Sequence, residues 1–237
     1  MFIKKMNSHI VLDFLFFKAK FRTKHPSNIH LEGENNEIIV YDKDGNRINY
    51  IDSKSISQFK INIVGNNNKI SFWENENFSN MNIRIKGNSN SVKIDKTDGP
   101  VSMSINMYGG GVPVDGRVVE VGKNFACGGC TMFVLNSGNK VIIGDDCLFS
   151  DTIQIRTTDG HKVIDNTTNE ILNKEKGTVE IQDHVWICRD VLILKDALIS
   201  KDSVVGAKSL VNKKFNESNI IIAGRSSIVK RNIRWEN

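Results

Sequence analysis

The sequence predicts an all-β protein built as a parallel β-helix, and three observations predict it. The first is the run from Ile181 to Leu210, which divides into sixes: IQDHVW, ICRDVL, ILKDAL, ISKDSV and VGAKSL. The second is a looser repeat, IHLEGENNEIIV, INIVGNNNKISF and IRIKGNSNSVKI, beginning at Ile29, Ile61 and Ile83. The third is composition. A chain of 237 residues with 3 prolines, 12 phenylalanines and 39% hydrophobic residues can bury a core without disulfides or metal, and it is not a disordered or low-complexity sequence.

Residues 1–28 read as a separate cap. Basic residues precede the apolar run Ile10-Val11-Leu12, but Asp13 interrupts it and no small-residue cleavage site follows, so the segment is not a signal peptide. It is also too short and too polar to span a membrane. The spacing predicts an amphipathic helix from about Ser8 to Lys20 that covers the open end of the solenoid. Peripheral contact with a membrane surface is the alternative role.

Residues 29–237 read as the β-helix itself. In the three looser repeats Gly33, Gly65 and Gly87 share one position, with Asn36, Asn68 and Asn90 three later. Apolar alternation on either side of a Gly-Asn turn predicts strand-turn-strand units, with the Asn at a left-handed corner. The offsets of 32 and 22 between Ile29, Ile61 and Ile83 are irregular, so the early coils carry insertions, and Tyr108 to Gly116 is one candidate.

The hexad step begins at Ile143, runs through Phe149 and Ile155, and leads to His161. The polar, aperiodic stretch 162–177 then leaves the coil as a loop, a common seat of function on a rigid scaffold. From Ile181 the first position of each hexad is Ile187, Ile193, Ile199, Val205 and Val211, and the fifth is Val185, Val191, Ala197, Ser203 and Ser209. Positions five and one flank a single residue, as two inward side chains of a short strand do. Six residues therefore make one side of a prism and three sides one coil, with residues eighteen apart stacked. Trp186, Leu192, Leu198, Val204 and Leu210, at the sixth position, face outward, and the columns Leu192/Leu210 and Trp186/Val204 suit burial in a homotrimer. Residues 214–237 form a tail. The hand of the coil is not dictated by these patterns, since parallel crossovers are ordinarily right-handed.

Charge and cysteines narrow the function. A formal charge of +5, spread along the chain without aromatic interleaving, does not suit a nucleic-acid binder but is compatible with anionic small molecules or an acidic polysaccharide. Cys127, Cys130, Cys147 and Cys188 are too few and too clustered for a secreted disulfide framework and read as reduced, buried cytoplasmic thiols. Cys127 and Cys130 form a C-x-x-C without a second pair at zinc spacing, so no metal is expected.

From about Lys140 to Trp235 the chain resembles the hexapeptide-repeat acetyltransferases. The run IQIRTTDGHKVID, a loop, and then VEIQDHVWICRDVLILKDALISKDSVVGAKSLV are similar to bacterial capsular polysaccharide and polysialic acid O-acetyltransferases. The resemblance implies a left-handed β-helix trimer, acetyl-CoA as donor bound between subunits, and a carbohydrate hydroxyl as acceptor. It places His161 as the catalytic base, with Asp159 as a candidate to orient its ring, and Trp186 as a wall of the pocket. It gives Arg189 a backbone N–H near the thioester carbonyl, although Cys188 stands where the family usually has Gly. Gly206-Ala207-Lys208-Ser209 resembles the family's G-A-x-S segment for the pantetheine arm, and Asn212 and Lys213 match its Thr-Lys pair, the Lys meeting phosphate. Ala223-Gly224 begins the family's tail motif, after which the sequence departs, leaving Arg225 as the candidate replacement cation.

Two other functions share much of this pattern. An N-acetyltransferase on a nucleotide-linked amino sugar would use the same donor and base with a different acceptor. A non-catalytic β-solenoid scaffold would need the coils alone.

Overall fold

The computed structural model describes residues 5–6, 9–14, 17–21, 28–48, 58–108, 114–174 and 177–236. From Ile29 onward the chain winds as a parallel β-helix whose strands form a 9-stranded sheet and a 13-stranded sheet with a side branch. The 9-stranded sheet is the first face and carries Lys140–Ile143, Thr178–Ile181, Leu198–Ile199 and Lys214–Phe215 in its C-terminal half. The second face carries Leu148–Phe149, Trp186–Ile187 and Val204–Val205; the third carries Ile153–Arg156, Leu192–Ile193 and Leu210–Val211. In the earlier coils single long strands turn the corner between these two faces: Ala126–Phe133 pairs with Leu148–Phe149 at one end and Ile153–Arg156 at the other.

The hexads account for the C-terminal coils position by position. The first-position residues Ile181, Ile187, Ile193, Ile199, Val205 and Val211 are all buried, and so are the fifth-position residues Val185, Val191, Ala197, Ser203 and Ser209. Their register is the one the repeat requires, with Trp186 paired to Val204 and Leu192 to Leu210. The fourth position turns the corner: His184, Asp190, Asp196, Asp202 and Lys208 all have φ between 53° and 60°. Asp and Asn tolerate that left-handed conformation better than other side chains, which is why three of the five are Asp. Among the outward sixth positions, Val204 departs from expectation. It is buried at 8% exposure, in the ladder between Trp186 and Ile221.

The N-terminal repeats stack in the register that their alignment gives, Ile29 on Ile61 and Ile61 on Ile83. Gly33, Gly65 and Gly87 have φ of 109°, 138° and 126°, and a Cβ there would come within 2.1 Å of the next coil's carbonyl oxygen, so no other residue fits. The left-handed corner falls on Asn35, Asn67 and Ser89 rather than on Asn36, Asn68 and Asn90. Asn36, Asn68 and Asn90 stack instead as a ladder. Asn68 Nδ2 donates to Asn36 Oδ1 at 3.0 Å, Asn90 Nδ2 to Asn68 Oδ1 at 2.8 Å, and Arg117 Nε to Asn90 Oδ1 at 2.9 Å. A buried amide needs partners for both ends, and an identical amide one coil away supplies them.

Insertions show as lengthened steps. Lys69 pairs with Ser91, 22 residues on, but Ser91 pairs with Val118, 27 on, so the extra residues fall in the Gly-rich stretch, whose residues 109–113 lie outside the described ones. Lys140 pairs with Thr178, 38 on, and this step holds the extruded loop. The loop is more ordered than its composition suggests. Ile164 bridges Ile171, and Leu172 N–H donates to the Val163 carbonyl at 2.8 Å, so it folds back as a small hairpin.

The N-terminal helix is corrected. His9–Phe14 and Phe17–Phe21 are strands that pair antiparallel, with Lys5–Met6 as a third strand, and among the described residues there is no α-helix. The sequence FKAKF alternates with period two, which suits a strand and not a helix. With the helix goes the basis for its membrane contact. No helix among the described residues is long and apolar enough to cross a membrane.

Candidate active site

His161 stands at the exit from the third face. The preceding segment is pinned inward: Thr157 Oγ1 donates to Asn139 Oδ1 at 2.7 Å, and Thr158 Oγ1 accepts from Gly160 N–H at 3.1 Å. Thr157 and Thr158 are buried, and His161 emerges exposed. On its other side Asn173 closes the base of the extruded loop, its Nδ2 donating to the His161 carbonyl at 2.8 Å and to Asp159 Oδ2 at 2.9 Å. Val163 N–H donates to Asn173 Oδ1 at 2.8 Å. The imidazole is thus exposed on a backbone fixed from both sides.

Asp159 has other partners than the His161 ring. Lys195 Nζ lies 2.6 Å from Asp159 Oδ2 and also donates to the Asn173 carbonyl at 3.1 Å. The bonds from Lys195 and then Asn173 hold the Asp159 carboxyl below the usual carboxylate range. The geometry makes Asp159 an anchor of the loop base. Lys195 and Asn173 were not legible as site residues, because a polar turn of a hexad and a polar loop carry no motif.

Trp186 lies on the second face, half-buried, with Trp235 beside it at 6.0 Å between ring centroids. Trp235 comes from the tail and also packs on His184, whose Nδ1 is 2.9 Å from Asp202 Oδ1. His184 is therefore a packed corner residue. Arg189 follows at the corner between second and third faces, where its guanidinium grips Asp151 through Nε–Oδ1 and Nη2–Oδ2 contacts of 2.8 Å each. Arg189 holds the Asp151 carboxyl below its usual range. One coil further, Lys208 N–H donates to the Arg189 carbonyl at 3.0 Å and Lys208 Nζ pairs with Asp190 Oδ2 at 3.2 Å. Ala207 and Lys208 are exposed; Ser209 is buried, its Oγ donating to the Gly206 carbonyl at 2.6 Å and accepting from Gly224 N–H at 3.1 Å.

Asn212 and Lys213 occupy the other corner, between third and first faces, below Lys195. Asn212 is engaged by the tail, accepting from Ser226 Oγ at 2.7 Å. Lys213 Nζ sits 5.3 Å over the Phe215 ring and borders an open cavity of about 820 Å³ shared with Lys214, Ser227 and Arg231. Arg231 is paired with Glu217 at 2.8 Å. Arg225 does not line this cavity; it lies beside Leu210 through a single parallel bridge.

The candidate residues therefore form two groups. Asp159, His161, Asn212 and Lys213 share one edge of the third face; Arg189, Ala207 and Lys208 share the other, with Trp186 just beyond. Between them lies the width of a four-residue strand such as Ile153–Arg156, about 13 Å at roughly 3.3 Å per residue. One chain does not bring the two groups together.

The cysteines play no visible part. Cys127, Cys130, Cys147 and Cys188 are free, and burial pushes the Cys127 and Cys147 thiols up to about 12. Among the described residues no cluster of three His, Cys, Asp or Glu could hold a metal.

The parallel coil and its hexads define a hexapeptide-repeat β-helix, the fold of the left-handed β-helix acetyltransferases on which it superposes. Within that class the chain is similar to the polysialic acid O-acetyltransferases. It is 37% identical over 124 residues to the polysialic acid O-acetyltransferase of Escherichia coli O1:K1 / APEC, a match that takes in 52% of this chain and 40% of the relative's length. The solved structure of the polySia-specific acetyltransferase NeuO superposes with a TM-score of 0.71 at 25% identity over 88% of each chain. That of the polysialic acid O-acetyltransferase OatWY superposes with a TM-score of 0.56 at 24% identity over 88% of this chain and 91% of the other. No protein-family model matches the chain.

Proposed function

We propose that this chain is an O-acetyltransferase that moves the acetyl group of acetyl-CoA to a hydroxyl of a capsular-type polysaccharide, with His161 as general base. The similarity to polysialic acid O-acetyltransferases supports the reaction and the class of acceptor. The observation that carries the base is geometric: an exposed imidazole on a backbone fixed by Thr157, Thr158 and Asn173, next to a projecting loop.

A sugar hydroxyl is a poor nucleophile near neutral pH. His161 as neutral imidazole accepts the hydroxyl proton while the sugar oxygen attacks the thioester carbonyl; the C–S bond then breaks and the imidazolium returns the proton to the thiolate. The Arg189 backbone N–H would serve the developing oxyanion, and Trp186 would wall the donor. Lys213 would meet its phosphates as a point charge. Ala207 and Lys208 would run beside the pantetheine arm, with Arg225 a second cation at the tail. Ser209 and Asn212 would shape this region from behind, since both are engaged within the chain.

The functional unit in this reading is a homotrimer. The separation of the His161 edge from the Trp186 edge supports it, because a neighbouring copy would place one chain's base against another's donor wall. The reduced thiols and the use of acetyl-CoA support a cytoplasmic setting.

The test is direct. The purified chain is incubated with acetyl-CoA and polysialic acid, and the product is examined for O-acetyl ester. Transfer to an amino-sugar nucleotide instead would move the reading to N-acetylation, and failure to bind acetyl-CoA would leave a scaffold.

A further inference from the structure

The third face changes character along the coil. At its C-terminal end the outward residues are Leu192 and Leu210. Over the strands Phe59–Val64, Phe78–Lys86, Val101–Met107, Ala126–Phe133 and Ile153–Arg156 there is no Asp or Glu, while Lys60, Arg84, Lys86 and Arg156 are present; the acid of this ladder is Glu32, on the first strand Ile29–Glu32, in line with Val64 and Lys86. The first face is different, with Glu37, Glu120 and Glu180 interspersed among its lysines.

Strand register sets these residues in line. Asn62, Arg84, Asn106, Phe133 and Arg156 share one register column across successive coils, in which Asn106 is buried and its neighbours are exposed or half-buried. Lys60, Arg84 and Lys86 are exposed, and the Arg156 guanidinium lies over the Phe133 ring, 4.8 Å from its centroid. Tyr108, 41% exposed, follows Met107, which pairs with Ile85, and so adjoins Lys86. From Arg84 to Arg156 is three strand spacings, about 14 Å at roughly 4.8 Å each. The column ends five residues before His161.

We propose that this outward surface is a binding track for a carboxylate-bearing polysaccharide, with Arg84, Lys86 and Arg156 meeting its charges and Phe133 and Tyr108 offering ring faces to its sugars. Cations of one sign on a rigid scaffold raise the local concentration of a polyanion, and a neutral glycan would gain nothing from them. Guanidinium groups bind carboxylates through two parallel hydrogen bonds, and an aromatic face suits the C–H face of a pyranose. The track deepens the acetyl-transfer reading, on which its role in the reaction rests, by stating which surface leads an acceptor polymer to His161.

The test is equilibrium binding of the full chain to polysialic acid, without acetyl-CoA, over a range of NaCl concentrations. The expected result is affinity that falls with salt, and a loss of about tenfold or more with a flatter salt dependence in the double variant Arg84→Gln/Arg156→Gln. Lys140→Gln on the first face should leave affinity unchanged. Undiminished affinity in the double variant would overturn the track, as would equal binding of neutral dextran or tighter binding of single-stranded RNA. A changed oligomeric mass in the double variant, with polymer affinity kept, would assign the face to subunit packing and overturn it also. Because binding is read without donor, loss of affinity in a chain that transfers no acetyl group would uphold the track and sink the enzymatic reading instead.

Discussion

Trp235 lies flat on His184, ring centroids 4.1 Å apart and planes 9° apart, and its indole N–H donates to the carbonyl oxygen of the same histidine at 3.0 Å. A residue near the end of the chain thus clamps a corner 51 residues earlier and reaches Trp186 as well. Trp235→Ala should cost about 3 to 5 kcal/mol, the range for a buried Trp truncation, and lower the thermal midpoint. Chemical denaturation measures the loss; a cost below about 1 kcal/mol would mean that the tail is not a clamp.

His161→Ala should stay folded and bind acetyl-CoA nearly as the parent does, because its side chain is exposed and the contacts at that position are made by its backbone. Turnover should fall at least about a hundredfold, the usual loss on removing a positioned base. Steady-state kinetics together with calorimetric donor binding separate the two effects, and a variant retaining most of its turnover would place the base elsewhere.

For Lys213→Ala the expected change is in donor binding alone, weaker by about 1 to 2 kcal/mol and with a flatter salt dependence. A titration at two ionic strengths decides it. Identical curves for variant and parent would move the phosphate site away from the cavity bordered by Lys213 and Arg231.

The Asp159–Lys195 pair should make the extruded loop pH-sensitive. Asp159 has a lowered folded pKa, so its contribution is present above the ordinary carboxylate range and is lost as pH falls through the folded value. The effect is local and small for an exposed pair. Protection of the amides across 162–174, taken against their intrinsic exchange rates, should fall below about pH 4, and Asp159→Asn should show the lower protection already at neutral pH. Equal exchange in parent and variant at neutral pH would remove Asp159 from the loop's anchorage.

Cys127 and Cys147 provide a test of the core at the alkaline end. Their folded pKa values are raised to about 12, so their contribution to stability is intact below the unfolded thiol pKa near 9 and is lost as pH rises from there toward 12. Both thiols should resist alkylation at pH 8 until the chain unfolds, while the partly exposed Cys188 reacts first. Peptide mapping after a timed pulse of iodoacetamide reads the order directly.

The C-terminal coils were legible because each hexad repeats one steric demand. Ile187, Ile193 and Ile199 must fill the interior, and Asp190, Asp196 and Asp202 must take the left-handed corner, so position and residue type agree. The same holds for Gly33, Gly65 and Gly87, where only glycine clears the next coil. His161 was singled out by the family resemblance, which sets a histidine after this strand and before the extruded loop; its place after a strand alone does not mark it. Asp159 was a candidate to orient the ring because it stands two positions earlier in sequence; its carboxylate meets Lys195, a coil away, and adjacency across coils leaves no trace in local spacing. Trp235 was missed for the same reason. The segment around Ser8 to Lys20 went wrong because short apolar runs fit both periods, and only FKAKF within it is decisively a strand.

The amide ladder has a consequence for how such a chain can change length. Every rung from Asn36 to Asn90 is chemically the same as its neighbour, so one coil could be duplicated or excised in a gene and the surviving amides would find each other again. Arg117 ends that freedom. It is fully buried, its charge is penalised enough to bring its pKa down to about 10, and it spends its donors on Asn90 and on the carbonyls of Lys86 and Val114. Recombination on the N-terminal side of this residue meets interchangeable modules, whereas an exchange across it would strand a guanidinium without acceptors. The molecule thus carries a boundary, with a stretch of adjustable length before it and fixed coils behind.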